Sequence, residues 1–271
     1  MKSAIGSVPR YIAIGIITVV VPFPIVWALL SSFRATSGFA TLGFALSLES
    51  YQRILSGSYV RFGLGMYNSL VVASGTIIIA LPLGLLAAYS LARFRFRGNR
   101  DIAFYILSTR FIPPIAVAIP IFLIMRDLSL LDTYPSIILM HTSLNLPLVV
   151  WMLRGFIMSV PVEIEEAAMI DGCSRLGALV RTVLPVLTPA LATTAVFCLI
   201  FSWNDFMFAL FLTYDKAATL PKEYSSLITK IDIPWGYLMA GTIVMIVVPL
   251  IVTIIIQRYM ASALTWGAVK G

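Results

Sequence analysis

The residues from Ser159 to Arg175, Ser-Val-Pro-Val-Glu-Ile-Glu-Glu-Ala-Ala-Met-Ile-Asp-Gly-Cys-Ser-Arg, hold the densest set of reactive and turn-forming side chains in this sequence. Glu163, Glu165 and Glu166 stand beside the small Ala167 and Ala168, and the turn pair Asp171-Gly172 follows. Carboxylates so placed can meet basic residues around a groove in another protein, and small side chains let a partner backbone approach closely. Catalytic and metal chemistry is poorly supplied. The single histidine, His141, and the two widely spaced cysteines, Cys173 and Cys198, build neither a disulfide framework nor a His/Cys metal site. No Gly-x-x-x-x-Gly-Lys-Ser/Thr phosphate loop occurs, so the chain is expected to have no ATPase site and to catalyse nothing itself.

The local signals predict two short helices across a turn. Pro161 has the fixed φ of a first helical turn, and the glutamates suit the positive end of the helix dipole. Gly172 accepts the left-handed conformation that ends a helix, and Ser174 can cap the next one. In that second helix Leu176, Leu179, Val180 and Val183 are expected on one face, with Pro185 beginning the next apolar stretch. Two readings stand: a docking element for a partner protein, or an amphipathic helix resting on lipid headgroups. Three glutamates in four positions would be repelled by anionic lipid, which favours docking.

These residues must be positioned by a membrane bundle. Hydrophobic residues make up 60% of the 271 and charged residues 11%, with a mean hydropathy of +0.98. Such a chain cannot cover itself with polar surface, which makes lipid its solvent. The net charge of +7 would suggest nucleic acid in a soluble protein, but here the basic residues flank apolar segments. Six stretches are long enough to cross the hydrocarbon as helices: 11–33, 66–92, 102–125, 135–153, 185–212 and 236–257. The expectation is therefore an all-α, six-span polytopic protein forming one transmembrane domain over 1–271, with the patterned segment 159–184 between spans four and five. Residues 11–33 carry no charge and are longer than a typical signal-peptide core, so they read as a retained first span. Four arginines in Arg93-Phe94-Arg95-Phe96-Arg97-Gly98-Asn99-Arg100 mark the connection between spans two and three as cytoplasmic. Both termini then lie inside. The outer connections also hold basic residues, so an inverted topology stays open.

Several polar groups fall within the spans, where function is the default hypothesis. Arg110 lines a pathway or snorkels, and the adjacent Pro113-Pro114 is expected to break or bend the third span. Asn204 and Asp205 can hydrogen-bond hydroxyls, and Trp203, Phe201 and Phe206 can stack on a sugar face, although each aromatic also reads as packing. With no second ligand, His141 reads as an interhelical hydrogen-bonding residue.

Glu166-Ala167-Ala168, Asp171-Gly172, Leu184-Pro185 and Pro189, in this order between the fourth and fifth spans, closely resemble the EAA motif of ABC importer permeases. The resemblance implies a coupling helix seated in a cleft of a cytoplasmic ATPase subunit, formed by Glu163, Glu165, Glu166, Ala167, Ala168, Asp171, Gly172 and Pro185. Cys173 stands where the family often has alanine. Asn68-Ser69-Leu70, Ser202-Trp203-Asn204-Asp205-Phe206 and the tail Leu264-Thr265-Trp266-Gly267-Ala268-Val269-Lys270-Gly271 narrow the likeness to the carbohydrate-uptake branch and its MalG-like subunits. Ala263 replaces the usual first glycine of that tail. The likeness implies that the tail, through Gly267, Lys270 and Gly271, enters the interface between ATPases. The segment from Tyr214 to Ile233 corresponds in position to a loop that reaches the solute-binding protein. A bacterial inner-membrane location follows. So do a second, MalF-like permease, two ATPase subunits holding the ATP and magnesium that this chain does not bind, and an extracellular or periplasmic binding protein. A permease for glycerol phosphate or an osmolyte is the nearer alternative, and a free-standing secondary transporter the more distant one.

Overall fold

The computed structural model describes residues 8–34, 46–57, 60–228 and 235–268. Helices dominate them, and the extended pairing found among the described residues is a bridge between Arg34 and Leu46. In chain order the helices are α1 (Val8–Val20), α2 (Phe23–Ser32), α3 (Glu49–Leu55), α4 (Phe62–Arg93), α5 (Asn99–Ser108), α6 (Pro114–Asp127), α7 (Tyr134–Ser159), α8 (Val162–Ile170), α9 (Arg175–Ala178), α10 (Leu184–Val186), α11 (Thr188–Asn204), α12 (Met207–Leu212), α13 (Leu220–Ile228) and α14 (Trp235–Ala268). Four stretches among the described residues are long and apolar enough to cross a membrane singly: Ala13–Ser32, Phe62–Arg93, Tyr134–Ser159 and Trp235–Gln257. Two bent pairs raise the number to six if each pair is one span.

The first bend is the one expected at Pro113-Pro114 within 102–125, whereas the second corrects the expectation of a simple span at 185–212. The first pair, Asn99–Phe111 and Pro114–Asp127, meets at 89°. Proline excludes the helical conformation from the residue before it, and Ile112 and Pro113 are both extended, with ψ of 123° and 127°. The second pair, Arg175–Val186 and Thr188–Asn204, bends by 79°. The break therefore falls at Leu187, two residues past Pro185 and just before Thr188-Pro189, whose proline lacks the N–H that would continue the helix. Helix α11 ends at Asn204, and the chain re-enters a helix only at Met207. By contrast α7 runs six residues past the expected end at 153, to Ser159.

The chain divides into two compact units. One, from Met1–Gly63 and Glu223–Val248, is held by Tyr51 to Ser32 hydroxyl contact at 2.7 Å and by Tyr224, whose hydroxyl lies 2.9 Å from Thr242 Oγ1. Close approach at Gly241 admits the Tyr224 ring, since an added Cβ would lie 2.8 Å from it.

The other unit, from Leu64–Lys222 and Pro249–Gly271, contains the segment of interest. Its centre is α7, more than half of whose most apolar stretch is buried (56%). Ala80, Ala88 and Tyr89 of α4 pack with Val149, Leu153 and Ile157 of α7 and with Leu179, Val183 and Leu187 of the patterned segment. Lipid supplies no hydrophobic drive between helices, so close packing through small residues must hold them. Gly75 and Gly84 do this on α4: an added Cβ would lie 2.7 Å from Ile138 Cδ1 and 2.4 Å from Val149 Cγ1.

Candidate coupling segment and its supporting polar contacts

Helix α8 forms where the sequence signals place it. Pro161, extended at φ −57° and ψ 135°, precedes it, and Glu163 and Glu165 occupy its first turn. Gly172 closes it at φ +89°, a conformation that favours glycine, and the Cys173 amide donates to Ala168 O at 3.0 Å. Ser174 Oγ then accepts the Gly177 amide at 3.1 Å and starts α9. One face of α8 is solvent-exposed, with Glu163, Glu166 and Ala167 beside the apolar Val162, Ile164 and Ile170, the last 86% exposed. Asp171 and Gly172 are exposed at its end.

Glu165 and Ala168 lie on the opposite side, and this corrects the expectation that all three glutamates and both alanines face a partner. Both are buried. At about 100° per residue they lie within about 60° of each other, whereas Glu163, Glu166, Ala167 and Ile170 share the other arc. That division was available from the sequence. The expected apolar face of the following helix also divides: Leu179 and Val183 are buried, whereas Leu176 and Val180 are exposed. A wider π-type turn over Leu179–Val183 changes the angular step and aligns Leu179, Val183 and Leu187 inward instead. Pro185 is exposed on the short α10.

What Glu165 meets could not be read from the sequence. Its Oε1 accepts Arg93 Nε–H at 2.6 Å, its Oε2 accepts the Tyr89 hydroxyl at 2.7 Å, and Arg93 Nη2 also donates to Val160 O at 2.9 Å. Both ion-pair side chains are almost fully buried, 7% and 4% exposed. A buried charge needs a partner and further hydrogen bonds to be tolerated, and this group has both. Arg93 thus does more than mark topology: it fastens the end of α4 to the patterned segment. Arg175 adds a second contact there, lying 4.9 Å over the Phe94 ring.

The polar residues within the spans separate into packed and open ones. His141 is buried, with Nδ1 2.6 Å from Ser202 Oγ and Nε2 3.1 Å from Asp205 Oδ2, the interhelical role expected of it. Asp205 also accepts the Phe208 amide at 3.1 Å, so it caps α12 at the break after Asn204. Trp203 is 1% exposed, which removes its ring from any surface a sugar could stack on. Asn204 is exposed and donates to Ile200 O at 2.8 Å. Arg110 is half-buried next to the bend, donating to Leu144 O at 3.1 Å with its guanidinium 4.2 Å over the Phe201 ring. Phe201 and Phe206 remain exposed. Among the described residues no three His, Cys, Asp or Glu side chains cluster as metal ligands would.

At the other end of α4, the Asn68-Ser69 pair grips the start of the segment that follows α12. Asn68 Nδ2 donates to Lys216 O at 3.0 Å and Ala218 O at 2.8 Å, its Oδ1 accepts the Tyr134 hydroxyl at 2.7 Å, and Ser69 Oγ accepts the Leu220 amide at 2.8 Å. Asp132, which sequence reasoning passed over, completes the grip. Its Oδ1 accepts the amides of Tyr214, Asp215 and Ala217 at 3.1, 3.0 and 3.1 Å, and its Oδ2 that of Lys216 at 2.9 Å. Burial pushes this carboxyl up, but the four amides outweigh burial and hold it below the usual carboxylate range. Of the tail residues, Gly267 lies within α14, and Lys270 and Gly271 lie outside the described residues.

Bent and straight apolar helices beside a capped, half-exposed short helix define a polytopic membrane protein. Residues 80–266 match the family model of the binding-protein-dependent transport system inner membrane component, and the chain belongs to that family. It is a multi-pass inner-membrane transport component. The chain is 32% identical to the trehalose/maltose transport system permease protein MalG of Thermococcus litoralis, over 92% of this chain and 91% of that protein. It is 34% identical to the trehalose transport system permease protein SugB of Mycobacterium tuberculosis, over 92% of each. A solved bacterial ABC transporter involved in the import of the acidic polysaccharide alginate contains a chain that superposes with a TM-score of 0.75 at 25% identity, covering 95% of this chain and 97% of that one.

Proposed function

We propose that this chain is the transmembrane permease subunit of an ATP-driven, binding-protein-dependent importer for a sugar or sugar derivative. The carrying observation is the exposed arc of α8, where Glu163 and Glu166 stand among Val162, Ile164, Ala167 and Ile170 while Glu165 anchors the helix from behind. Carboxylates set among exposed apolar side chains suit a groove with basic residues in an ATPase subunit. The buried Arg93–Glu165 pair supports an orientation with this segment and the arginine-rich connection 93–100 on one side, the cytoplasm, and both termini there. A second, MalF-like permease and two ATPase subunits complete the assembly, and the ATPase subunits hold ATP and magnesium. An external binding protein delivers solute to the opposite face, and Gly267, Lys270 and Gly271 reach the ATPase interface. The substrates of the two related permeases, trehalose and maltose, support the carbohydrate class.

ATPase closure pushes the docked helices together and rocks the spans between inward- and outward-facing arrangements. Co-expression with its ATPase and partner permease, followed by purification through a tag on this chain, tests the reading. The ATPase is expected to co-purify from wild type, and Glu166→Lys or Gly172→Trp to insert normally yet lose solute-stimulated hydrolysis in proteoliposomes. Stimulated hydrolysis unchanged in both variants would refute the docking role.

A further inference from the structure

Helices α4 and α7 are cross-tied along their whole shared length. At one end the Tyr134 hydroxyl, in the first turn of α7, donates to Asn68 Oδ1 of α4 at 2.7 Å. In the middle, Gly75 and Gly84 bring the two backbones so close that a methyl group would collide with Ile138 or Val149. At the other end Arg93 Nη2 donates to Val160 O, the residue after the last turn of α7, at 2.9 Å. The proline inside α4, Pro82, is the point at which this helix would flex. Gly84 braces it there, against the stiff, β-branched Val149.

Each end of this pair also holds a segment beyond the pair. Asn68 and Ser69 fix Lys216, Ala218 and Leu220 of the segment after α12. Tyr89 and Arg93 fix Glu165 of α8. The separation from Asn68 to Arg93 along the helix is about 38 Å.

We infer that the cross-tied pair α4–α7 is a rigid lever that joins the 214–220 segment to α8, with Asn68 and Arg93 as the positioning residues at its two grips. The inference rests on the proposed importer reading, in which α8 meets the ATPase and the 214–220 segment faces the binding protein. A lever of this kind makes the two sites report on each other, because displacing α8 must displace the far grip. Through covalent connection alone α8 would move only the adjoining end of α7. The buried Arg93–Glu165 pair, with Arg93 also donating to Val160 O, makes the α4 terminus move with it.

The test uses the assembled transporter in nanodiscs, with hydrolysis measured with and without solute-loaded binding protein and expressed relative to each variant's own unstimulated rate. Asn68→Ala and Arg93→Met are each expected to reduce stimulation by about fivefold or more. Together they are expected to reduce it no further than the more severe single variant, because a lever cut at one end transmits nothing to the other. A double variant whose loss is the product of the single losses, about 25-fold or more, overturns the lever by showing two independent effects. Amide exchange over Tyr214–Ala217 is the second readout. A non-hydrolysable ATP analogue is expected to change it in wild type and not in Arg93→Met, and a change that persists in that variant overturns the inference. If Arg93→Met does not assemble, Arg93→Lys takes its place, because it keeps the charge but lacks the planar fork that holds Glu165 and Val160 O together. Reduced stimulation supports the lever, and an assembled Arg93→Lys variant with wild-type stimulation overturns it. An ATPase that never co-purifies with the wild-type chain sinks the importer reading itself. An assembled, stimulated wild type whose Asn68→Ala and Arg93→Met variants behave like it sinks only the lever.

Discussion

Replacing Asp132 separates the contribution of its carboxylate from that of its backbone. Asp132 has φ +58°, so alanine would add strain, whereas glycine accepts the conformation and removes only the carboxylate. That carboxylate is buried and receives four amides, three on Oδ1 and one on Oδ2. A hydrogen bond to a charged group contributes about 1.5–3 kcal/mol net, but donors crowded on one oxygen share it, so the group as a whole is taken as about 3–4 kcal/mol. With about 1.4 kcal/mol per factor of ten, Asp132→Gly lowers the protection of the amides of Tyr214, Asp215, Lys216 and Ala217 by about 10²–10³. Asparagine tolerates the same backbone and retains Oδ1, but its Nδ2 then opposes the Lys216 amide, donor against donor. Asp132→Asn is therefore expected near a tenfold loss, about 1–2 kcal/mol. Hydrogen exchange read by mass spectrometry in nanodiscs gives all three values. The reasoning fails if Asp132→Gly retains protection within about twofold of wild type, or if the asparagine variant is as unprotected as the glycine one.

The same group predicts an acid limb. Its folded-state value is depressed, so its contribution is complete above the unfolded value of about 3.9 and is lost as pH falls through the lower folded one. Protection of those amides should be level from neutral pH to about 5 and decline below about 4, and Asp132→Gly should abolish that dependence. Gly84→Val should lower thermal stability in detergent by about 1–3 kcal/mol through collision with Val149, and Val149→Ala in the same chain should restore part of it. Asp205→Ala should cost about 1–2 kcal/mol by uncapping α12 and releasing His141, with Asp205→Asn costing less, as chemical unfolding would show.

Helix existence was legible because the apolar runs are long, and the patterned segment was legible because proline, glycine and serine each act locally. Gly172 and Ser174 perform in the structure the roles their chemistry dictates, whereas Pro161 stands extended just before α8 and not in its first turn. Bends were only partly legible. Pro113-Pro114 announced the first, but the second falls at Leu187 and not at Pro185, because the π-type turn carries the helix through that proline. Glu165 was misplaced through counting charges and not their angles around the helix. Pairings between residues far apart in the chain left no local trace: Arg93 meets a partner 72 residues on, and Asp132 meets amides 82 to 85 residues on. Trp203 illustrates the remaining difficulty, since an aromatic in an apolar helix has the same sequence signature whether it faces a passage or, as here, the packed interior.

The Arg93–Glu165 contact also bears on how the protein is made. When Arg93 is added to the growing chain its carboxylate partner is still 72 residues from being synthesised. At about 5–20 residues per second that interval is roughly 4 to 14 s, during which α5 to α7 are synthesised. Closure of the pair can therefore come only after α7 has been synthesised. A chain stalled before Glu165 would leave the Arg93 cation at the end of α4 without its carboxylate.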